Sequence, residues 1–443
     1  MSVRAQPSAG GPSAAPSASA GGRRPRLGRA VWLVLLAALA IRVAFVLATP
    51  GYELVHDALD YDRHASSIAA GEGYADSRAE GRPTAFRPPG YPYLLAGVYE
   101  LAGVEDRRDP DGILAARLTG ALLGTLTVAL IGVLAAQLWD RRAALVAMAL
   151  GAIYVPLILV GAAVMSETLF VTLLLATLVA ALAHRRSRHR YRWALFAGVL
   201  AGLAILTRAN AAVLLLPLGL AVWDARPRLS VRALGPPVAL IVTAILVVTP
   251  WTVRNQVVFG TFVPVSTQLG SALAGTYNDQ ARTDRENPAS WRSVRHIPEY
   301  AHIWAGVNTR PEPELDHELR AVSRRYIAQH PGYVAEVAWW STARMLDLTG
   351  LKWSRHTMGT IGIEPRWAGL SVACFWAFAL LALAGAFTRR ARQAPLFVWL
   401  FPVLMYLSVV FLVVETPRYR TGIDPFIVIL AALALLSAAD ARA

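Results

Sequence analysis

Along the chain, apolar residues come in blocks of about 20 separated by short polar stretches, not at the periods of half-buried helices or strands. Blocks of that length match the hydrocarbon layer of a bilayer crossed by a helix. They predict ten spans, near 30–49, 113–138, 143–162, 166–183, 193–207, 211–223, 233–250, 367–387, 395–414 and 423–439. Block 211–223 is short and the break at 162–166 is tight. The first block follows basic residues but exceeds the roughly 7–15 apolar residues of a signal peptide, so it predicts an uncleaved span. Two polar stretches, 51–112 and 251–366, are too long for turns. In the first, a double proline predicts a helix over about 90–103. In the second, a polar helix over 312–329 stops at His330-Pro331. An amphipathic helix follows over 332–348, with Val334, Val337, Ala338 and Ser341 on one face, expected to lie on the membrane surface.

The chain thus divides into a Ser/Ala/Gly/Pro-rich tail (1–29) expected to be disordered in the cytoplasm, an N-terminal transmembrane module (30–250) holding the first outer loop, a second outer loop (251–366), and C-terminal transmembrane helices (367–443). The expected fold class is an all-α polytopic membrane protein.

Composition agrees. Of the 443 residues, 55% are hydrophobic and 16% charged, where a soluble chain carries about a quarter charged. The net charge of +14 does not point to nucleic acid, because the basic residues sit in short stretches between apolar blocks. One cysteine, Cys374, excludes an intrachain disulfide or a cysteine-built metal site. No internal repeat of the kind found in many secondary transporters is visible.

The arginines set an orientation. With the N-terminus inside, the inner segments hold 19 basic residues against three acidic ones, whereas loop 51–112 holds 12 Asp/Glu against six Arg. Both termini are then cytoplasmic in a multi-pass protein of the plasma membrane, and both long loops face outward. Tryptophans at span ends, Trp251 and Trp367, read as interfacial anchors. Those inside the second loop, such as Trp291 and Trp304, suit either a sugar or a lipid tail.

The candidate chemistry lies in loop 51–112. Asp57 and Asp60 are three apart and share a helix face, Asp62 points elsewhere, and Tyr61 and His64 follow. Arg87, in Arg87-Pro88-Pro89-Gly90-Tyr91-Pro92, is pinned near them. A carboxylate beside a fixed guanidinium suits glycosyl transfer from a phosphate leaving group: the acid takes the acceptor's proton and the Arg holds the developing charge. Other polar groups end spans on the same side: Arg42, Ser166-Glu167, Thr207-Arg208-Ala209-Asn210, Pro250-Trp251-Thr252-Val253-Arg254-Asn255 and Thr416-Pro417-Arg418-Tyr419-Arg420. Ionisable groups at membrane depth default to a paired or functional role. Together they argue for one outward-facing polar cavity.

In order and side, these motifs make the chain resemble the GT-C glycosyltransferases of the protein O-mannosyltransferase and aminoarabinose-transferase type (family 39-like), from Arg42 to Pro425. The resemblance implies a GT-C-type bundle, a polyprenyl-phosphate-sugar donor and inverting transfer to a glycan, lipid or protein acceptor at the extracytoplasmic face. By position, Asp57 is the catalytic base with Asp60 in support. Arg87, Tyr61, Arg208, Arg254, Arg418 and Arg420 are the candidate donor-phosphate ligands, and Glu167, Arg42 and Asn255 the remaining cavity residues. Many members have Asp-Glu where this chain has Asp57-Ala58. No cofactor is expected. Some relatives use a divalent cation, and no clear metal site is visible. The alternatives from other classes are a polyisoprenoid or polysaccharide flippase, and a non-catalytic envelope scaffold.

Overall fold

A computed structural model describes residues 24–76, 81–103, 109–223, 229–307, 309–412 and 416–442. Most of the tail expected to be disordered lies outside these residues; its last part already belongs to the first helix, α1 (Arg24–Leu47). The first outer loop supplies α2 (His56–Ala69), a two-residue ladder pairing Ala75–Asp76 with Arg82–Pro83, and α3 (Gly90–Ala102). Asp109 then caps α4 (Pro110–Leu138) by accepting from the Asp111 amide at 2.9 Å, with Pro110 at the first helical position.

The bundle continues through α5 (Arg141–Ile153), α6 (Val155–Ala162), α7 (Ser166–Arg186), α8 (Arg190–Thr207), a 3-10 turn over Ala209–Leu214, α9 (Leu215–Val222) and α10 (Val231–Phe259). The second outer loop folds into α11 (Gln268–Thr276), α12 (Asp279–Thr283), α13 (Ala301–Trp304), α14 (Glu312–Gln329), α15 (Pro331–Met345) and α16 (Leu351–Thr360). Helices α17 (Ala368–Ala386), α18 (Arg389–Gln393), α19 (Leu396–Val410) and α20 (Asp424–Asp440) close the chain.

Among the described residues all ten apolar blocks are largely helical, and five helices are long and apolar enough to cross a membrane, or six when α5 and α6, bent by 56° at Tyr154, count as one. Segments Ala209–Val222 and Leu396–Val410 are apolar but shorter. The expected break near 162–166 is real and tight, since α6 ends at Ala162 and α7 starts at Ser166.

Close helix contacts rest on small residues, as in other membrane bundles. Gly198 and Gly202 of α8 let α10 approach so near that a Cβ on Gly198 would lie 2.5 Å from the Leu240 carbonyl oxygen. The main apolar core joins α4, α5, α7, α8, α9, α10, α17, α19 and α20. A second core lies under the first outer loop and seats α2 and α3 on α4 and α6.

Two expectations are corrected. The apolar face of α15 does not lie on the membrane: Val337 is buried among Tyr277, Tyr326 and Tyr333 of the outer loop, and Ser341 is buried as well. Trp251 is no interfacial anchor either. It is buried, and its indole N–H donates to the Val265 carbonyl at 2.6 Å.

Candidate active site

The site begins with α2, which carries Asp57 in its first turn and Asp60 one turn later, on one face as the spacing predicts. The segment behind it places Arg87 opposite. Its backbone is held by the Tyr74 hydroxyl, which donates to the Arg87 carbonyl at 2.9 Å, and then enters α3 through Pro88-Pro89. Gly90 makes this possible: a Cβ there would lie 2.8 Å from Thr207 Oγ1 at the end of α8. One Arg87 nitrogen donates to both Asp57 (2.5 Å) and Asp60 (2.9 Å). Arg418, in the 3-10 turn Pro417–Arg420 before α20, donates to the other Asp57 oxygen.

Behind Asp57 the chain of charges continues. Glu167 opens α7, is buried, pairs with Arg208 at 2.9 Å and lies 3.8 Å from Arg418 Nε. Arg208 also reaches Ser166 Oγ at 3.3 Å, and the Ser166 and Tyr61 hydroxyls are 3.0 Å apart. Acids and guanidiniums thus alternate through the site: Asp60, Arg87, Asp57, Arg418, Glu167, Arg208. Tyr61 and Phe86 flank the Arg87 guanidinium, with ring centres 5.5 and 5.2 Å away. Burial alone would raise the Asp57 carboxyl. The Arg87 and Arg418 charges override that and hold it well below the usual carboxylate range.

These groups form the polar end of one cavity of about 1450 Å³. Asp57, Asp60, Tyr61, Arg87, Arg208 and Arg418 all line it; Glu167 sits just behind. Its lower walls are apolar and come from spans: Leu215, Ala244, Ile245, Val248, Val409 and Leu412. Among the described residues no group of three or more His, Cys, Asp or Glu side chains converges on a metal position.

Four expected site residues lie elsewhere. Arg42 is buried in the bundle, donating to the carbonyls of Ala38 (3.1 Å), Gly151 (3.1 Å) and Ala152 (3.2 Å). Helix carbonyls take its two terminal nitrogens, so it braces α1 against α5. Arg254 donates to the Thr84 (2.8 Å) and Tyr74 (2.9 Å) carbonyls, and so ties α10 to the segment that carries Arg87. Asn255 is fully buried and donates to the Val263 carbonyl at 3.0 Å. Arg420 points away from Arg418, into a buried pair with Asp347 (2.8 Å) and Asp424 (3.1 Å), its guanidinium 3.5 Å from the Phe375 ring centre. Asp62 is also off the site and accepts from the Tyr99 hydroxyl at 2.8 Å.

One supporting residue had no sequence signal. Glu312, at the start of α14, accepts from Thr84 Oγ1 (2.6 Å), from the Ala85 amide (3.0 Å) and from the Thr267 hydroxyl. It ties the second outer loop to the Arg87 segment.

The family model for dolichyl-phosphate-mannose-protein mannosyltransferase matches residues 86–253, from the Arg87 segment to the outer end of α10. No curated protein matches the chain. In fold it is similar to the Archaeoglobus fulgidus oligosaccharyltransferase tethered with an acceptor peptide (TM-score 0.57, 14% identity, 94% of this chain and 50% of that one). It is likewise similar to the oligosaccharyltransferase AglB of that organism in complex with an inhibitory peptide and a dolichol-phosphate (TM-score 0.56, 14% identity, 94% and 51%). ArnT from Cupriavidus metallidurans bound to undecaprenyl phosphate aligns with a TM-score of 0.43 at 15% identity, over 94% and 78%. The chain spans about half the length of the oligosaccharyltransferase chains. Its fold is that of the GT-C membrane glycosyltransferases.

Proposed function

We propose that this chain, which has the GT-C fold and a matched glycosyltransferase segment, moves a sugar from a polyprenyl-phosphate-linked donor to an acceptor hydroxyl on the extracytoplasmic face, with inversion. The observation that carries this reading is the alternating acid–arginine chain at the polar end of a cavity whose lower walls are apolar spans. A lipid-linked phosphate needs both surfaces at once. The dolichol-phosphate in the AglB complex supports the same class of donor.

In this mechanism the donor phosphate takes hydrogen bonds from Arg87 and Arg418, the two guanidiniums now held by Asp57. Asp57, released from part of that pairing, accepts the proton of the incoming hydroxyl. The acceptor oxygen bonds to the anomeric carbon as the bond from that carbon to the phosphate oxygen breaks, from opposite sides. The electron pair leaves with the phosphate, whose added charge the two arginines stabilise. Asp60 keeps Arg87 oriented, while Glu167 and Arg208 hold Arg418 and Tyr61 in place.

The test is turnover by the purified protein with a panel of polyprenyl-phosphate sugars. Asp57→Asn is expected to lower transfer by about 10²–10⁴-fold, the usual worth of a positioned base. An undiminished rate would remove Asp57 from that role, and no transfer or hydrolysis of any donor by folded protein would sink the reading as a whole.

A further inference from the structure

The cavity has more room than one head group needs: about 1450 Å³, against the roughly 300–1,000 Å³ of an ordinary small-molecule site. Its walls also differ in chemistry. The span side is mainly aliphatic, with Thr249, Thr252, Gln256 and Ser408 among its lining. The side made by the second outer loop carries Gln268, Ser271, Trp291, Ser293, Trp304 and Arg320.

This second wall is built rather than incidental. The Trp291 N–H donates to the Ser271 carbonyl at 3.1 Å, and the next amide, of Arg292, donates to the Gly275 carbonyl at 2.8 Å. Gly275 permits that approach, since a Cβ there would lie 2.0 Å from Trp291 Nε1. Arg320 is fixed on α14 by Asp316 at 2.5 Å, and Asp316 itself accepts from the Gly270 amide of α11 at 2.6 Å. Trp304, at the end of α13, keeps 37% of its surface exposed.

A pinned Trp291 and a part-exposed Trp304, with hydroxyl, amide and guanidinium groups on the same wall, suit a sugar, which offers an apolar C–H face and a rim of hydroxyls. One common mode of capturing an extended peptide is pairing with a free strand edge. Among the described residues the one ladder is two residues per strand, and neither strand lines the cavity.

We propose that the outer-loop end of the cavity is an acceptor subsite for a saccharide, with Trp304 and Trp291 as stacking surfaces and Arg320 and Gln268 as hydroxyl partners. The chain then glycosylates a glycan or a glycolipid headgroup, not a polypeptide. This rests on the transfer reading above, with the apolar arm left to the donor.

The experiment presents farnesyl-phosphate-mannose as donor with either a manno- or cello-trisaccharide or a serine- and threonine-bearing hexapeptide. Transfer to a trisaccharide and none to the hexapeptide is expected. Trp304→Ala should raise the trisaccharide KM by roughly tenfold and move the donor KM by less than about twofold, with Trp304→Phe recovering most of the loss. Transfer to the hexapeptide alone, or a change in donor KM in place of acceptor KM, would overturn the proposal. Calorimetric binding of the trisaccharide separates this idea from the transfer reading, because it needs no turnover. Saccharide binding lost in Trp304→Ala supports the subsite even if no donor reacts, and absence of saccharide binding in the wild type refutes it even if donor is hydrolysed.

Discussion

Asp57 stands where two guanidiniums converge, which is also where a donor phosphate gains most. In the proposed mechanism carboxylate and phosphate compete for Arg87 and Arg418. Asp57→Asn keeps the shape but removes the competing charge, so it should bind farnesyl phosphate about tenfold more tightly than the wild type while losing transfer. Equal or weaker binding in a direct titration would show that the pair does not have to open. The same geometry sets a pH dependence. The two arginines depress the Asp57 carboxyl in the free enzyme, so it stays ionised as pH falls and is protonated only well below the usual carboxylate range. The kcat/KM profile, which reports the free enzyme, should show no acid limb from Asp57 between about pH 8 and 5. With the donor bound, the arginines are shared with phosphate, so any acid limb in kcat should fall at higher pH than in kcat/KM. Coincident limbs in the two profiles would contradict the shared site. At this scale the sequence was informative about Asp57, Asp60 and Arg87, because a three-residue helical spacing and a rigid Pro-Pro turn constrain direction. It was misleading about Arg420. Two residues along a 3-10 turn the side chain faces the other way, and nothing in Arg418-Tyr419-Arg420 says which arginine meets Asp57.

Arg420 shows what an element requires of its neighbours. It is the cation that pairs with Asp347, between α15 and α16 of the second outer loop, and with Asp424, the first residue of α20. Asp424 also accepts from Tyr154 (3.0 Å), the hinge between α5 and α6, and Asp347 accepts from Ser354 (2.9 Å) at the start of α16. One guanidinium therefore ties the last outer turn, the outer loop and the bent pair together, and fixes the turn from which Arg418 projects. Removing one partner of a buried ion network leaves charge without compensation, at a cost of about 3–5 kcal/mol. Arg420→Met should lower the thermal midpoint in detergent by roughly 3–5 °C. Arg418→Met, next to an open cavity, should weaken prenyl-phosphate binding with a much smaller thermal effect. Thermal unfolding and ligand titration of the two variants decide it; equal thermal losses would place both arginines in one role. The element-level misreading of α15 has a related cause. Its apolar face needed a cover, and a sequence cannot say whether lipid or the Tyr277–Tyr326–Tyr333 cluster provides it.

For the molecule as a whole, the apolar blocks made the bundle legible because a bilayer allows few solutions for a run of 20 apolar residues. The count of crossings was harder to read. The bend at Tyr154 and the 3-10 start of the segment before α9 shorten helices in ways that hydropathy alone does not register. The proposed sidedness of the cavity rests on the arginines: segments such as 185–192 are basic, and the loop carrying Asp57 is acidic. That placement can be tested independently of catalysis. Cys374, in α17, is the single cysteine, so Cys374→Ser gives a background without thiols. In it, Arg285→Cys, exposed in the second outer loop, should react with a membrane-impermeant maleimide in intact cells. Arg188→Cys, exposed between α7 and α8, should react only after the membrane is opened. The reverse pattern would put Asp57 and Arg87 in the cytoplasm, where lipid-linked donors presented at the outer face could not reach them. Labelling of both positions in intact cells would show a mixed topology and overturn the single orientation. One labelling pair thus decides the side on which Asp57 and Arg87 meet their substrates before any sugar is identified.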